Sequence, residues 1–234
     1  MRVVIVRHHE EDSAGFIGAA FEAYGAELGV HLFPADGPLP GLDGVDHVVV
    51  LGAINSVYDD GPARAWIADE LHWLRQADEA GVPVLGICFG AQALAAAFGG
   101  RVDAAASKEI GWTVVDSLSP ELIPPGPWLE FHGDRCHLPG QARLLAHNHV
   151  GAQAFSVGRH LGVQFHPEVD GAQLRLWLDA GGRGEVERAG QDPDRLVAET
   201  IAQEAAAGER AARLVAAAFR IAGRADLSLT QPTG

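Results

Sequence analysis

Over the first hundred residues, short apolar runs alternate with stretches whose apolar positions recur at helical spacing. VVIVR at 3–7 reads as a buried strand, and Ser13 is placed to cap a helix carrying Ile17, Phe21, Tyr24 and Leu28 on one face. VHLF at 30–33 and HVVVL at 47–51 are further strands. Pro62 opens a second helix, with Ile67, Leu71 and Leu74 on one side and Gly81 beyond its end. VPVLGI at 82–87 is again a strand, and the AQALAAAF that follows has the Ala- and Leu-rich composition of a helix packed on a sheet. Strands alternating with helices predict a parallel, doubly wound α/β sheet.

From about residue 101 the pattern changes. RVDAA, WTVVDSL, WLEFH, RLLAH, AQAFSV and HLGVQF are six short strand candidates separated by turn residues. They predict antiparallel strands extending or flanking the parallel sheet. Residues 171–180 read as a helix and 181–193 as a polar connection. Asp194 to about Ala222 is Ala/Glu/Arg-rich, with Leu214, Val215, Ala218, Phe219 and Ile221 forming an apolar stripe. LSLTQPTG reads as a loose tail. The expected organisation is an α/β domain over 1–183 and a helical extension over 184–234, packed on that domain or on a partner.

Within this pattern the chemistry concentrates at VPVLGICFGAQALAAAFGG, residues 82–100. Gly86 and Gly90 flank Cys88 two residues away on each side, which lets the chain reverse in a tight strand-to-helix turn. A structural buried thiol needs no such turn, whereas a nucleophile does. A thiolate there faces the helix N-terminus, whose dipole and free N–H groups favour negative charge and can stabilise an oxyanion. Strand-to-helix placement of a nucleophile is also the logic of the serine-hydrolase elbow. A thiol nucleophile needs a base. In HLGVQFHPEV an apolar run ends at Phe165, His166 stands at its tip, and Glu168 lies two residues on, close enough to orient the imidazole. Singly, His166 reads equally as a strand-end histidine and Glu168 as a solvated charge. Together with Cys88 they make a nucleophile, a base and an orienting carboxylate.

GICFGAQ together with GVQFHPEV resembles the class I glutamine amidotransferases, whose elbow reads G-x-C-x-G-x-Q and whose base and carboxylate read F-H-P-E. VVVLGAINSVYDD, KEIGW and FHGDRCHLP extend the resemblance, in order, over residues 1 to about 180. The pattern is that of a stand-alone glutaminase-type domain similar to the amidotransferase domain of the GMP synthases. The resemblance implies an α/β, flavodoxin-like fold: a doubly wound, mostly parallel sheet flanked by helices with additional antiparallel strands. It implies that Cys88 forms a γ-glutamyl thioester, with His166 as acid and base and Glu168 holding its ring. Gly52 and Phe89 would supply oxyanion N–H donors. Gln92 and the His132–Gly133–Asp134 stretch would hold the substrate's α-amino and α-carboxylate groups. One departure is Ala53, where many members have a second glycine. Cysteine-elbow relatives of the protease and deglycase type carry histidine after the cysteine, and here Phe89 follows.

Composition narrows the alternatives. A chain of 234 residues, 47% of them hydrophobic, can bury one sizeable core. A net charge of -14 argues against nucleic acid or an anionic membrane as partner. No run approaches the roughly 18 apolar residues of a membrane span, and MRVVIVRHHEED is too short and too charged for a signal peptide. With two cysteines in unlike contexts, Cys136 reads as a structural thiol and the expected location is cytoplasmic. HNH at 147–149 and Cys136–His137 offer metal-ligand types without a recognised spacing, so neither metal nor cofactor is expected. His8–His9 lie at the end of the first strand, and read as a polar loop rather than as pocket lining. No Gly-rich nucleotide loop accompanies the domain, so ammonia would pass to a separate synthetase subunit. The alternatives are a self-sufficient γ-glutamyl peptidase or hydrolase on the same triad, and a non-catalytic regulatory protein.

Overall fold

A strand buried on both faces must be largely apolar, and three of the central strands are fully buried along their length, with His47 and His160 the polar residues that open β3 and β10. In a computed structural model describing residues 1–224, the chain runs β1 (Arg2–Arg7), α1 (Gly15–Ala23), β2 (Glu27–Leu32), β3 (His47–Val50), α2 (Pro62–Glu79), β4 (Val84–Ile87) and α3 (Phe89–Ala97). It continues with β5 (Arg101–Val114), β6 (Asp116–Ser117), β7 (Pro127–His137), β8 (Arg143–His147), β9 (Ala152–Val157) and β10 (His160–Val163). Helices α4 (Gly171–Trp177), α5 (Arg183–Arg188) and α6 (Pro193–Ile221) complete it. LSLTQPTG lies outside the described residues.

The main sheet has the order β2-β1-β3-β4-β10-β9-β8-β6. Its first five strands are parallel, and β9, β8 and β6 add antiparallel to them. A separate antiparallel pair, β5–β7, flanks this sheet. The antiparallel strands therefore both extend and flank the parallel sheet.

Alternation along each strand sends neighbouring residues to opposite faces. Val3 and Ile5 of β1 meet Ile17 and Phe21 of α1 and Leu214, Val215, Ala218 and Phe219 of α6. Val4 and Val6 face the other way, toward Ile67, Trp73 and Leu74 of α2 and Leu94 of α3. A third cluster, with Ile110, Leu129, Leu174, Val186 and Leu196, seals β5–β7 against α4, α5 and α6. Among the described residues, no helix is long and apolar enough to cross a membrane.

Several local expectations are corrected. Ser13 does not cap α1: Ala14 occupies that position and makes no side-chain capping bond. The strand expected at 30–33 begins at Glu27, where β2 is an edge strand whose exposed positions blur its pattern. The two strands expected within 101–118 are largely one 14-residue strand, β5, with its register shifted between Ala104 and Glu109. The polar connection at 181–193 contains helix α5, whose one buried residue, Val186, is too little to register as a helical stripe.

The β4–α3 turn has room for nothing but glycine at two points. A Cβ at Gly86 would lie 2.4 Å from the Gly90 carbonyl oxygen, and one at Gly90 would lie 2.2 Å from that of Val50. The start of α3 is thus laid directly on β3. Gly90→Ala is expected to lower the unfolding free energy by ~2 kcal/mol or more, as overpacking against backbone does. Gly140→Ala, where nothing lies within 4 Å of the added Cβ, serves as the control in urea unfolding.

Candidate active site

The parallel sheet delivers the ends of β1, β3, β4 and β10 to one edge. Cys88 sits there between β4 and α3 with φ 52° and ψ -107°, and it is the one non-glycine residue with positive φ among those described. That conformation costs on the order of 1–3 kcal/mol and persists only where the surroundings impose it. The surroundings do: Cys88 N–H donates to Val163 O at 2.8 Å, tying the turn to the end of β10. Phe89 follows as the first residue of α3, where backbone N–H groups lack helical partners.

Three residues beyond Val163, His166 is 4% exposed and Glu168 is 2% exposed. His166 Nδ1 lies 2.7 Å from Glu168 Oε1, so the imidazole donates to the carboxylate. Burial alone would pull the His166 pKa down. The negative charge of Glu168, reinforced from the Cys88 side, overcomes it and raises the pKa well above the ordinary imidazole value. The segment is clamped from outside. His166 N–H donates to Leu129 O, Phe16 N–H donates to Glu168 O, and the Trp177 ring stands edge-on to His166 at 4.9 Å. Trp177 Nε1–H in turn donates to Asp12 Oδ1 at 2.9 Å. Burial raises the Asp12 carboxyl pKa.

The loop after β3 closes over this edge. A Cβ at Gly52 would lie 3.2 Å from His166 Cε1 and 3.8 Å from Cys88 Cβ, so its backbone passes against both groups. Further along, Ser56 Oγ and Tyr58 OH donate to the two carboxylate oxygens of Asp134 at 2.5 and 2.7 Å. Asp134 thus ties the loop to β7. Gly133, beside it, is covered by the aliphatic stem of Lys108, whose ammonium pairs with Glu185 at 2.9 Å.

Of the nine residues singled out from the sequence, Cys88, Phe89, Gly52, His166 and Glu168 converge directly. Gln92 reaches them through a partner that the sequence reading did not single out. Its Nε2 donates to Gln164 Oε1 at 3.2 Å, and Gln164 Nε2 points at Cys88 Sγ at 3.6 Å. Gln164 stands inside GVQFHPEV, so it was on view without a role. His132 lies between two unforeseen carboxylates, with Nε2 at 3.1 Å from both Glu109 and Glu130, while Nδ1 faces Asp134 O at 2.8 Å. Burial opposes its charge, but the carboxylates prevail and raise its pKa to about 10. Burial raises the Glu130 carboxyl pKa, whereas Glu109 also accepts from Asn148 and Gln153 and is held low by His132. Glu109, Glu130 and His132 present ligand-type atoms within 4.8 Å of one another. His132 Nε2 and both Glu130 carboxylate oxygens are buried without a hydrogen-bond partner, so the cluster is held by charge and proximity. Asn148 of the HNH stretch serves this network through its bond to Glu109. His8, read from the sequence as part of a polar loop, is buried beside Gly52 instead.

The sequence model of the family described as Glutamine amidotransferase class-I matches residues 16–175. A GMP synthase [glutamine-hydrolyzing] of Thiobacillus denitrificans is 35% identical over 140 residues, covering 52% of this chain and 25% of that protein. That of Aeropyrum pernix is 31% identical over 181 residues, covering 71% of this chain and 35% of its own length. The chain therefore spans about a quarter to a third of these relatives. The crystal structure of a glutamine amidotransferase from Thermotoga maritima superposes with a TM-score of 0.84 at 25% identity, covering 95% of this chain and 98% of that one. A glutamine amidotransferase structure from Methylobacillus flagellatus matches in fold with the same TM-score at 22% identity, covering 100% and 98%. With more than half of its length matched by the family's sequence model, this chain belongs to the class I glutamine amidotransferases.

Proposed function

We propose that the protein hydrolyses the side-chain amide of glutamine through a Cys88 thioester and passes the ammonia to a synthetase. One observation carries this reading. The strained Cys88 turn, the His166–Glu168 pair and the Gly52 backbone meet at a single sheet edge. Cys88 gives its thiol proton to His166, Sγ attacks the amide carbon, and its electron pair forms the C–S bond while the carbonyl oxygen takes the negative charge. The N–H groups of Phe89 and of the Gly52 loop receive that oxyanion. Collapse breaks the C–N bond, and the His166 proton leaves with the ammonia. His166, now neutral, takes a proton from water as its oxygen adds to the thioester carbon; the C–S bond then breaks, the electron pair returns to Cys88 with the proton from His166, and glutamate leaves. Glu168 keeps the imidazole oriented and stabilises its charged form throughout. The α-amino and α-carboxylate groups of the substrate are placed near Gln92 and at the His132–Gly133–Asp134 segment of β7, which is braced through Asp134 and His132. Two unpaired, buried thiols, Cys88 and Cys136, accord with a reducing cytoplasmic setting.

The defining test is release of ammonia and glutamate by the purified chain and by Cys88→Ala, with glutamine and γ-glutamyl peptides assayed in parallel. Slow release from glutamine that falls by about 1,000-fold or more in Cys88→Ala is the expected outcome. Rapid Cys88-dependent cleavage of the peptides with glutamine poor would make the chain a self-sufficient γ-glutamyl hydrolase. Unchanged turnover in Cys88→Ala would remove the thioester. A glutamine-analogue electrophile should label Cys88 alone, as read by peptide mapping.

Glu168→Gln tests the charge logic. Its carboxylate favours the protonated imidazole against the effect of burial, so its loss should let burial dominate. The pH at which His166 gives up its proton should therefore fall in a ¹⁵N NMR titration, with kcat reduced ~100-fold. An unmoved titration would mean that Glu168 does not set the protonation of His166.

A further inference from the structure

His8, the first residue beyond β1, is buried on the inner side of the loop that follows β3, with its side chain 4% exposed. Its Nδ1 lies 2.8 Å from the carbonyl oxygen of Gly52, and its Nε2 lies 2.9 Å from Glu70 Oε2 on α2. Glu70 is fully buried, and its other oxygen has no hydrogen-bond partner. The His8 ring is packed between Trp66 and Phe89, at centroid distances of 5.3 and 5.0 Å. A carbonyl oxygen and a carboxylate both accept, so both ring nitrogens must meet them with protons.

From this geometry we infer that His8, paired with Glu70, is a positioning residue that fixes the orientation of the Gly52–Ala53 peptide and thereby prepares the oxyanion loop. The inference rests on the reading of this site as an amide hydrolase. The carbonyl that His8 grips belongs to the peptide whose N–H is carried by Ala53, one residue beyond the Gly52 N–H that the family resemblance implies as donor. In a trans peptide the two groups point opposite ways, so holding the oxygen toward His8 turns the Ala53 N–H away from it. The same peptide begins at the α-carbon that packs against His166 and Cys88. A lone pair on Nδ1 would instead face the lone pairs of the Gly52 oxygen, and the loop would lose its anchor. This also bears on Ala53 in place of a second glycine. An outside hydrogen bond pins the peptide that precedes it, so the loop's orientation does not depend on glycine's conformational freedom alone.

The charges around His8 come from two directions. Glu70 faces it from α2 and Asp12 from the segment after β1, while Trp66 and Phe89 contribute neutral rings. Burial opposes protonation of His8, but Glu70 and the bond to Gly52 outweigh it and the pKa is raised. Below that elevated value the charged ring offers both N–H groups; above it one proton is lost, and the bond to Gly52 O persists only in the tautomer that keeps Nδ1–H.

The test compares His8→Ala, His8→Asn and Glu70→Gln with the wild-type chain. His8→Ala should lower kcat for glutamine ~100-fold, the loss seen when oxyanion donors are removed, with KM little changed. Alkylation of Cys88 by iodoacetamide needs no oxyanion donor and should stay within about twofold of wild type if only the loop is disturbed. His8→Asn, which keeps one N–H to offer Gly52 O, should recover at least about tenfold of the lost kcat. In Glu70→Gln burial is no longer opposed by the carboxylate, so any fall of kcat with rising pH should begin at lower pH than in wild type. Undiminished kcat in His8→Ala overturns the inference, as does a parallel loss of alkylation, which would mean general collapse of the site. Should the variants fail to fold, ¹⁵N NMR of the native protein decides: His8 Nδ1 carries a proton at pH 7.5, and an unprotonated Nδ1 overturns the inference. That readout needs no turnover. A wild-type chain without Cys88-dependent activity would defeat the proposed function and leave the His8 measurement standing on its own.

Discussion

The arrangement of this molecule depends on one strained residue. Cys88 is held at φ 52° by a turn in which Gly86 and Gly90 each leave less than 2.5 Å for a side chain that is not there. Close approach of α3 to β3 and the bond from Cys88 N–H to Val163 O leave the chain no relaxed alternative. The same bond fixes where β10 ends relative to the turn. The residues after β10 then need only a short bend to bring His166 back to the sulfur. A looser turn would save about 1–3 kcal/mol of strain and lose the registration between two strands that are far apart in sequence.

Around that turn the charges are arranged as buried pairs rather than as a solvated surface. His166 faces Glu168, His8 faces Glu70, and His132 faces Glu109 and Glu130. In each, burial disfavours the charged imidazole and a nearby carboxylate restores it. Breaking such a pair strands a charge in a low-dielectric interior, which makes the positions of the partners mutually dependent. The three groups lie on different elements: the segment after β10, the loop after β3 and the β5–β7 strand pair. Charge pairing therefore does for side chains what the glycines do for backbone, and holds groups where an unassisted side chain would relax.

Much of this was legible in the chain itself. Apolar runs of four to six residues between helical stripes are what a doubly wound sheet requires, and β1, β3, β4 and α2 lie where that pattern put them. Gly86-Ile-Cys88-Phe-Gly90 announced a turn too tight for ordinary residues, and Phe165-His-Pro-Glu168 placed an imidazole and a carboxylate within reach of each other. Local spacing is enough for such features because the partners are neighbours in the chain. Edge strand β2 and surface helix α5 were misjudged for a related reason: exposure removes the apolar periodicity on which the reading depends.

Other contacts had no sequence signal. Glu70 lies 62 residues from His8, Gln164 lies 72 from Gln92, and Asp134 lies 78 from Ser56. Each residue is unremarkable where it stands, and a glutamate on a helix reads as solvated until packing buries it. The sequence by itself determined the alternation of strand and helix, the glycine-bounded cysteine turn and the histidine–glutamate spacing, because backbone sterics and periodicity act over a few residues. Only the tertiary structure decided which distant carboxylates would be buried against which histidines. Burial is a property of the assembled layers, and it is burial that makes a carboxylate choose a partner.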